Sequence, residues 1–231
     1  MDCLVSHQEL RILGGLAVLF ILAAVWVEQT AIERTDLPGF KRAGMAVQRS
    51  GTKEIVRSAV GEKNSPHREQ LKKGLRRDFV LILTYAGLFA ALGLLLSQAH
   101  VSGARWWGIA AAISILGAAA FDVIENYKTF EILSLDSASI TDSLSRTVRL
   151  MSTLKWLLFY LPVRLEGLIL IELMNWFSLI GGLMLISAIA GVIGVRSHQL
   201  LTPAAVGLGV AVIILGLILL AAPQKILRLV C

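Results

Sequence analysis

The sequence predicts an all-α integral membrane helical bundle with five transmembrane helices, six being the alternative, together with interfacial amphipathic helices. Of the 231 residues, 56% are hydrophobic and 16% are charged, whereas soluble domains are roughly half apolar and a quarter charged. The apolar residues form continuous runs near the roughly 17–25 residues that a helix needs to cross the hydrocarbon core. These runs do not alternate with polar residues, so they predict helices and not the strands of a barrel.

The apolar runs set the boundaries within a single membrane domain over residues 1–231. The predicted spans lie at about residues 10–28, 79–98, 105–125, 168–195 and 203–222. The first run is predicted to be a retained span, because no small-residue cleavage site of a signal peptide follows Val27. Between the spans lie a basic cytoplasmic loop at residues 29–78 and a second cytoplasmic loop at residues 126–166.

The first loop contains two helix signals. Ser65 and Pro66 are a capping residue and a first-turn proline, and together they predict a helix that runs into the second span. Upstream of them, Thr52–Val60 has the pattern of a short amphipathic helix whose residues Val56 and Val60 face the membrane surface. The first loop is therefore predicted to be a structured cytoplasmic cap.

The second loop decides the number of spans. Val148–Val163 has leucines at helical spacing, interrupted by Lys155, and predicts an interfacial helix that ends at Pro162. The alternative is that this helix spans the membrane, which gives six spans and places the C-terminus outside. With five spans Cys3 and Cys231 lie on opposite faces, so no disulfide within one chain is expected.

Lysine and arginine are unequally distributed between the two faces that five spans create. Residues 28–77 contain twelve, residues 127–166 five and the tail from residue 223 two, against Arg11, Arg105 and Arg196 on the other face. The positive-inside rule then predicts an outer N-terminus and a cytoplasmic C-terminus, in a plasma (inner) membrane. The basic loop is expected to attract anionic lipid headgroups. No nucleic-acid recognition motif accompanies the charge, so nucleic acid is not an expected partner.

The end of the third predicted span contains polar residues that are costly to bury in a membrane. Asp122, Glu125 and Asn126 are spaced by three and four positions, which places them on one helix face. Continued toward the start of the span, this face includes the small residues Ala118, Ser114 and Ala110, a pattern typical of close helix packing. The acids are therefore predicted to face the bundle and not lipid.

Topology brings further polar residues to the same depth and predicts a cytoplasm-facing polar pocket. Its candidate members are Asp78, Tyr85, Asp122, Glu125, Asn126, Lys155, Glu172 and Asn175. Buried carboxylates without partners cost several kcal/mol each. The candidate cations are Lys155, Lys128, Arg76 and Arg77. Two interpretations stay open: a bonded staple between spans, or a site in which Asp122 and Glu125 act as acid and base on a lipid headgroup, bind a divalent ion or relay protons.

A resemblance supports the choice of these residues. The segment Arg77-Asp78-Phe79 at a span start, the segment Asp122-Val123-Ile124-Glu125-Asn126 and the downstream Lys155 are similar to the pattern in a group of uncharacterised small bacterial multi-pass membrane proteins. The likeness covers roughly residues 30–160, and the Asp-x-x-Glu-Asn element is its most specific part. The group has no assigned activity, so the resemblance implies architecture and not chemistry.

The sequence favours a non-enzymatic function. It contains no phosphate-binding loop, no Gly-x-Ser-x-Gly, no Cys-x-x-Cys and no selectivity-filter sequence. No catalytic residue and no metal ligand is assigned; the sequence identifies no cofactor and is compatible with a bound lipid. The leading hypothesis is a structural or accessory subunit of a membrane complex, with a membrane-protein partner or a second copy of the chain. The alternative is a lipid-modifying enzyme that uses Asp122 and Glu125, and a small transporter ranks below both.

Overall fold

The computed structural model is all-α, as the sequence predicts. It describes residues 6–30, 37, 39–40, 42–173, 176–197 and 200–230. In these residues the helices are α1 (His7–Thr30), α2 (Ala43–Arg49), α3 (Lys53–Val60), α4 (Pro66–Leu96), α5 (Ala104–Ser134), α6 (Asp142–Glu172), α7 (Trp176–Ser197), α8 (Leu201–Ala221) and α9 (Pro223–Val230), with a short 3₁₀ helix at Ser137–Ser139.

Five helices are long and apolar enough to cross a membrane. These segments are His7–Val27, Pro66–Leu96, Ala104–Ser134, Phe177–Val195 and Pro203–Ala221. Their outward side chains are apolar as well: Leu83 is 74% exposed, and Ile113 and Ile186 are each 67% exposed. Such surfaces are stable against lipid tails and not against water, so the chain is a multi-pass membrane protein.

Helix boundaries differ from the predicted ones at three places. Helix α4 begins at Pro66, well before the predicted start at residue 79, and α5 continues to Ser134, beyond the predicted end at residue 125. Both extensions contain charged residues and lie outside the apolar runs. The predicted span at residues 168–195 is divided, because α6 ends at Glu172 and α7 begins at Trp176.

Pro162 does not end a helix, and the prediction that it does is wrong. It lies inside α6. A proline has no N–H to donate to the carbonyl four residues earlier, here that of Leu158. The Ser114 hydroxyl on α5 donates a hydrogen bond to this carbonyl at 2.9 Å. The helix continues because a neighbouring helix satisfies the group that the proline leaves unpaired.

The chain divides into two compact units. The first unit comprises Met1–Leu22, Thr84–Ala118 and Trp156–Cys231, and the second comprises Ala23–Leu83 and Ala119–Lys155. In the first unit the helices approach at small residues. These approaches join Gly93 with Gly108, Gly167 with Gly181, Gly207 with Ser187, and Gly14 with Gly216. A Cβ on Gly191 of α7 would overlap the Tyr160 ring of α6, so glycine is required there.

The second unit contains a hydrophobic core formed by the two short helices and by parts of the long ones. Its buried members are Ala43, Ala46, Val47, Val56, Ala59, Val60, Leu75, Ile132, Leu133, Ile140 and Val148. Helix α3 forms where the sequence predicts it. Its residues Val56 and Val60 pack into this core, however, so the prediction that they face the membrane surface is wrong. The first loop is therefore a folded element that buries its own apolar face.

Candidate functional site

The second unit holds a buried ionic cluster centred on Lys155. The Lys155 ammonium of α6 lies 2.9 Å from Asp122 Oδ1 and 2.8 Å from Glu125 Oε2, both on α5. The side chains are nearly inaccessible, with exposures of 8% for Lys155, 6% for Asp122 and 0% for Glu125. One cation thus bridges two carboxylates in a setting where an unpaired charge costs several kcal/mol.

A second bonded pair adjoins this bridge. Asn126, fully buried on α5, donates its amide N–H to Asp78 Oδ2 of α4 at 2.8 Å. We refer to Asp78, Asp122, Glu125, Asn126 and Lys155 together as the Lys155 cluster. It links three helices through side chains alone, which is the arrangement expected of a polar staple between membrane helices.

Local geometry explains how α5 supplies three members of the Lys155 cluster. Residues spaced three and four apart on an α-helix are neighbours on its surface, and Asp122, Glu125 and Asn126 have this spacing. The hydroxyl of Thr129, four residues after Glu125, donates a hydrogen bond to the Glu125 carbonyl oxygen at 2.9 Å, so this buried hydroxyl also has a partner. The acids therefore point to the same side, toward α6.

The charges in the Lys155 cluster do not balance if every acid is ionised. Three carboxyl groups and one ammonium group leave an excess of two negative charges among the described residues. Asp78 is half-buried, so this excess is not fully enclosed by protein. Chemically the cluster is able to bridge helices. Asp122, Glu125, Asn126 and Lys155 are all buried, so among the described members only the half-buried Asp78 is accessible.

Not every predicted member belongs to the Lys155 cluster. Tyr85 is in the first unit, where its ring packs edge-on against Phe159 with centroids 5.3 Å apart; its predicted place beside the acids stays a prediction. Glu172 is exposed at the end of α6 in the first unit, and its predicted place in the polar pocket also stays a prediction. Asn175 lies outside the described residues.

The other candidate cations bond elsewhere. Lys128 pairs with Glu131 at 2.8 Å on the surface of α5, and the Arg77 guanidinium lies 4.9 Å from the centre of the Trp26 ring. Arg76 is exposed. The small-residue face is also partly corrected, because Ser114 is buried whereas Ala110 is exposed. The predicted inward face of α5 therefore holds at Ala118 and Ser114 and not at Ala110.

A buried arginine, Arg68, is not among the predicted site residues. Arg68 in the first turn of α4 is fully buried. Its guanidinium donates to four carbonyl oxygens and one hydroxyl, those of Val60, Gly61, Leu133, Leu135 and Ser137, at 2.5–3.4 Å. These acceptors end the short helix α3 and the long helix α5, so one side chain fastens the first loop to the second. The only sequence signal was its position in the predicted helix start at Ser65 and Pro66.

Glu166 on α6 is also not among the predicted site residues. It is fully buried in the first unit, and neither of its carboxyl oxygens has a hydrogen-bond partner among the described residues. A signal was present, because Glu166 follows Lys155 by eleven residues and so lies on nearly the same helix face.

Neither metals nor relatives add to the assignment of the site. In the part of the chain that the structure describes, no group of three or more histidine, cysteine, aspartate or glutamate side chains is placed to hold a metal ion. Comparisons with protein-family models, with curated proteins and with solved structures find no match to this chain. The function of this chain is therefore inferred from its own geometry alone.

Proposed function

We propose that this chain is a non-enzymatic structural or accessory subunit of a membrane complex. The observation that carries the proposal is the closure of the Lys155 cluster. Asp122, Glu125 and Lys155 are buried and bonded to one another, so the groups best suited to chemistry act as a staple. Acid–base catalysis needs a group within hydrogen-bond reach of the substrate, and a lipid headgroup would first have to displace Lys155.

Two glycines add support for a partner. Within a helix, glycine costs roughly 1 kcal/mol relative to alanine. Gly181 and Gly216 are explained inside the chain, because a Cβ on either would meet another helix. Gly182 and Gly209 have open space beside them. A partner helix that packs closely at these positions would account for glycine there.

The accessory-subunit proposal is tested by gentle detergent extraction from the native membrane, with native mass and co-purification as readouts. We expect a complex larger than the monomer with a stoichiometric membrane-protein partner or a second copy. Gly209→Leu should release the partner, whereas Val210→Leu, a change at an adjacent exposed position, should not. The opposite outcome is a free monomer whose lipid chemistry is lost in Glu125→Gln although that variant has normal abundance. This outcome would favour the lipid-modifying enzyme.

We further propose that α6 is a sixth span. Within the first unit, α6 pairs with α5 through Ser114 and Leu158 and runs antiparallel to α7, because Gly167 lies against Gly181 and Tyr160 lies against Gly191. A helix lying flat on the membrane surface would not pack in this way against two spans. The helix has 31 residues, or about 46 Å. Its apolar run is broken by Lys155 and Glu166, which are buried against protein, and by Arg164, which is exposed.

Six spans keep the charge asymmetry and move the C-terminus outside. On the cytoplasmic face, sixteen lysines and arginines then lie: the twelve of the first loop together with Lys128, Arg146, Arg149 and Arg196, against four on the outer face, Arg11, Arg105, Lys225 and Arg228. The remaining two, Lys155 and Arg164, lie farther along α6. In this topology both termini are outside a plasma membrane, and the basic loop faces anionic headgroups. Each basic residue near the surface is attracted to them by about 1 kcal/mol.

The two native cysteines test this topology directly, because Cys3 and Cys231 lie near opposite ends of the chain and outside the described residues. Intact cells are treated with a membrane-impermeant maleimide, with Cys3→Ser and Cys231→Ser as single variants. With six spans both single variants should be labelled from the outside. Labelling of Cys3 alone, with Cys231 reacting only after permeabilisation, would restore five spans and a cytoplasmic C-terminus.

A further inference from the structure

The first unit contains an unpaired buried acid that the proposed function does not use. Glu166 is 0% exposed, and neither of its carboxyl oxygens has a hydrogen-bond partner among the described residues. It differs in this respect from Asp122 and Glu125, which share the Lys155 ammonium. A buried carboxyl without a partner has to be explained, since native structures leave few such groups unsatisfied.

The surroundings of Glu166 are a tight junction of three helices. A Cβ on Gly93 of α4 would lie 2.7 Å from the Gly108 carbonyl oxygen of α5 and 3.3 Å from Glu166 Oε1. The carboxyl therefore lies against the point where the backbones of α4 and α5 come closest. A side chain on Gly93 would therefore crowd both the α5 backbone and the acid.

Apart from Glu166, the charged groups of the first unit on α4, α5 and α6 are exposed. The titratable residues of the first unit on α4, α5 and α6 are Tyr85, Arg105, Tyr160, Arg164, Glu166 and Glu172. Arg105, Arg164 and Glu172 are exposed, and the rings of Tyr85 and Tyr160 both contact Phe159. The described side chains of α7 include no titratable group. None of these residues hydrogen-bonds to the Glu166 carboxyl.

We infer that the Glu166 carboxyl is a proton-binding site that is occupied at neutral pH. An ionised carboxylate buried without a partner costs several kcal/mol, and binding one proton removes that charge. A metal cation is the weaker occupant, because calcium takes six to eight oxygen ligands and Glu166 supplies two. The junction lies about one helical turn from the α4–α5 connection, since Gly93 and Gly108 are near the ends of their helices. We expect the proton to exchange with solvent from that end, and the D₂O shift below tests this.

This inference goes beyond the proposed function and does not rest on it, because it concerns one carboxyl within the first unit. It is tested by infrared difference spectroscopy of the purified full chain at pH 7, wild type minus Glu166→Gln, in H₂O and D₂O. We expect the carbonyl stretch of a protonated carboxyl group in the wild type, its loss in the variant, and a shift to lower frequency in D₂O. A carboxylate band in its place, or no shift in D₂O, would overturn the proton-binding site.

Stability of the variant gives a second, independent result. Glutamine has the shape of the neutral acid, so Glu166→Gln should accumulate and unfold like the wild type. Failure of Glu166→Gln to fold would show that the ionised form is needed and would also overturn the inference.

A hydrophobic carbodiimide provides the chemical probe. The O–H of a carboxylic acid adds across one C=N bond of the reagent to give an O-acylisourea, which rearranges to a stable N-acylurea that retains the whole reagent. Peptide mass mapping should find this adduct at Glu166 and lose it in Glu166→Gln, while Glu125, paired with Lys155, is the internal comparison. Greater labelling at Glu125 than at Glu166 would contradict the assignment.

Discussion

Replacing Lys155 with methionine should lower the free energy of unfolding by about 3–5 kcal/mol, the cost of removing one partner from a buried ion pair. Methionine matches the length of the lysine stem but leaves Asp122 and Glu125 facing each other without a cation. Both carboxylates are then buried with no counter-charge. Thermal unfolding of the purified protein in detergent, together with its abundance in the membrane, measures the loss.

The control for Lys155→Met is Lys128→Met. Lys128 also pairs with a carboxylate at 2.8 Å, but this pair is on the surface of α5, with exposures of 41% and 47%. Such pairs contribute roughly 0–1 kcal/mol. The combined variant Lys155→Met with Asp122→Asn and Glu125→Gln should recover most of the stability, because it removes the stranded charges as well. Equal stability of Lys155→Met and Lys128→Met would show that the Lys155 cluster is not a staple.

Local spacing explains what was predictable in this chain. The apolar runs place α1 and α8 within a few residues of their observed ends, because a span is defined by length and composition alone. Ser65 and Pro66 mark the start of α4, where the Ser65 hydroxyl accepts the Arg68 N–H at 3.3 Å. The common face of Asp122, Glu125 and Asn126 also follows from spacing.

Contacts between distant residues explain what was not predictable. The prediction of an interfacial helix relied on Lys155 and on the bounds at Pro162 and Arg164, whereas in the structure Lys155 is buried and α6 continues past both bounds. The continuation of α6 through Pro162 depends on Ser114, 44 residues from the carbonyl that it satisfies. The division of the predicted fourth span did leave a signal: residues 168–195 are more than the roughly 17–25 residues that one span needs.

The burial of Val56 and Val60 in a protein core could not be predicted for the same reason. Val56 and Val60 have the periodicity of an amphipathic helix, and periodicity shows that a face is apolar without showing what covers it. In the structure, Ile132 and Leu133 at the end of α5 share the core with them. A membrane surface and a protein core satisfy the same sequence pattern, so only the tertiary contacts distinguish them.

Arg68→Ala should open the two loops of the second unit and cost about 3–5 kcal/mol, since removing a buried, hydrogen-bonded charge leaves several acceptors unsatisfied at about 1–3 kcal/mol each. The Arg68 guanidinium holds the carbonyls of Val60 and Gly61 at the end of α3 and those of Leu133 and Leu135 beyond α5. Limited proteolysis followed by mass mapping should find new cleavage near residues 50–65 and 135–141.

Two further variants show whether geometry or charge is responsible. Arg68→Lys keeps the charge but offers three donors from one point in place of the planar fork of arginine, so it should recover only part of the stability. Arg76→Ala removes an exposed arginine from the same helix, and surface changes of this kind usually stay within about 0.5 kcal/mol. If Arg68→Ala resists protease as well as Arg76→Ala does, the loop core holds without the guanidinium, and apolar packing among Val56, Val60 and Ile132 would have to be sufficient.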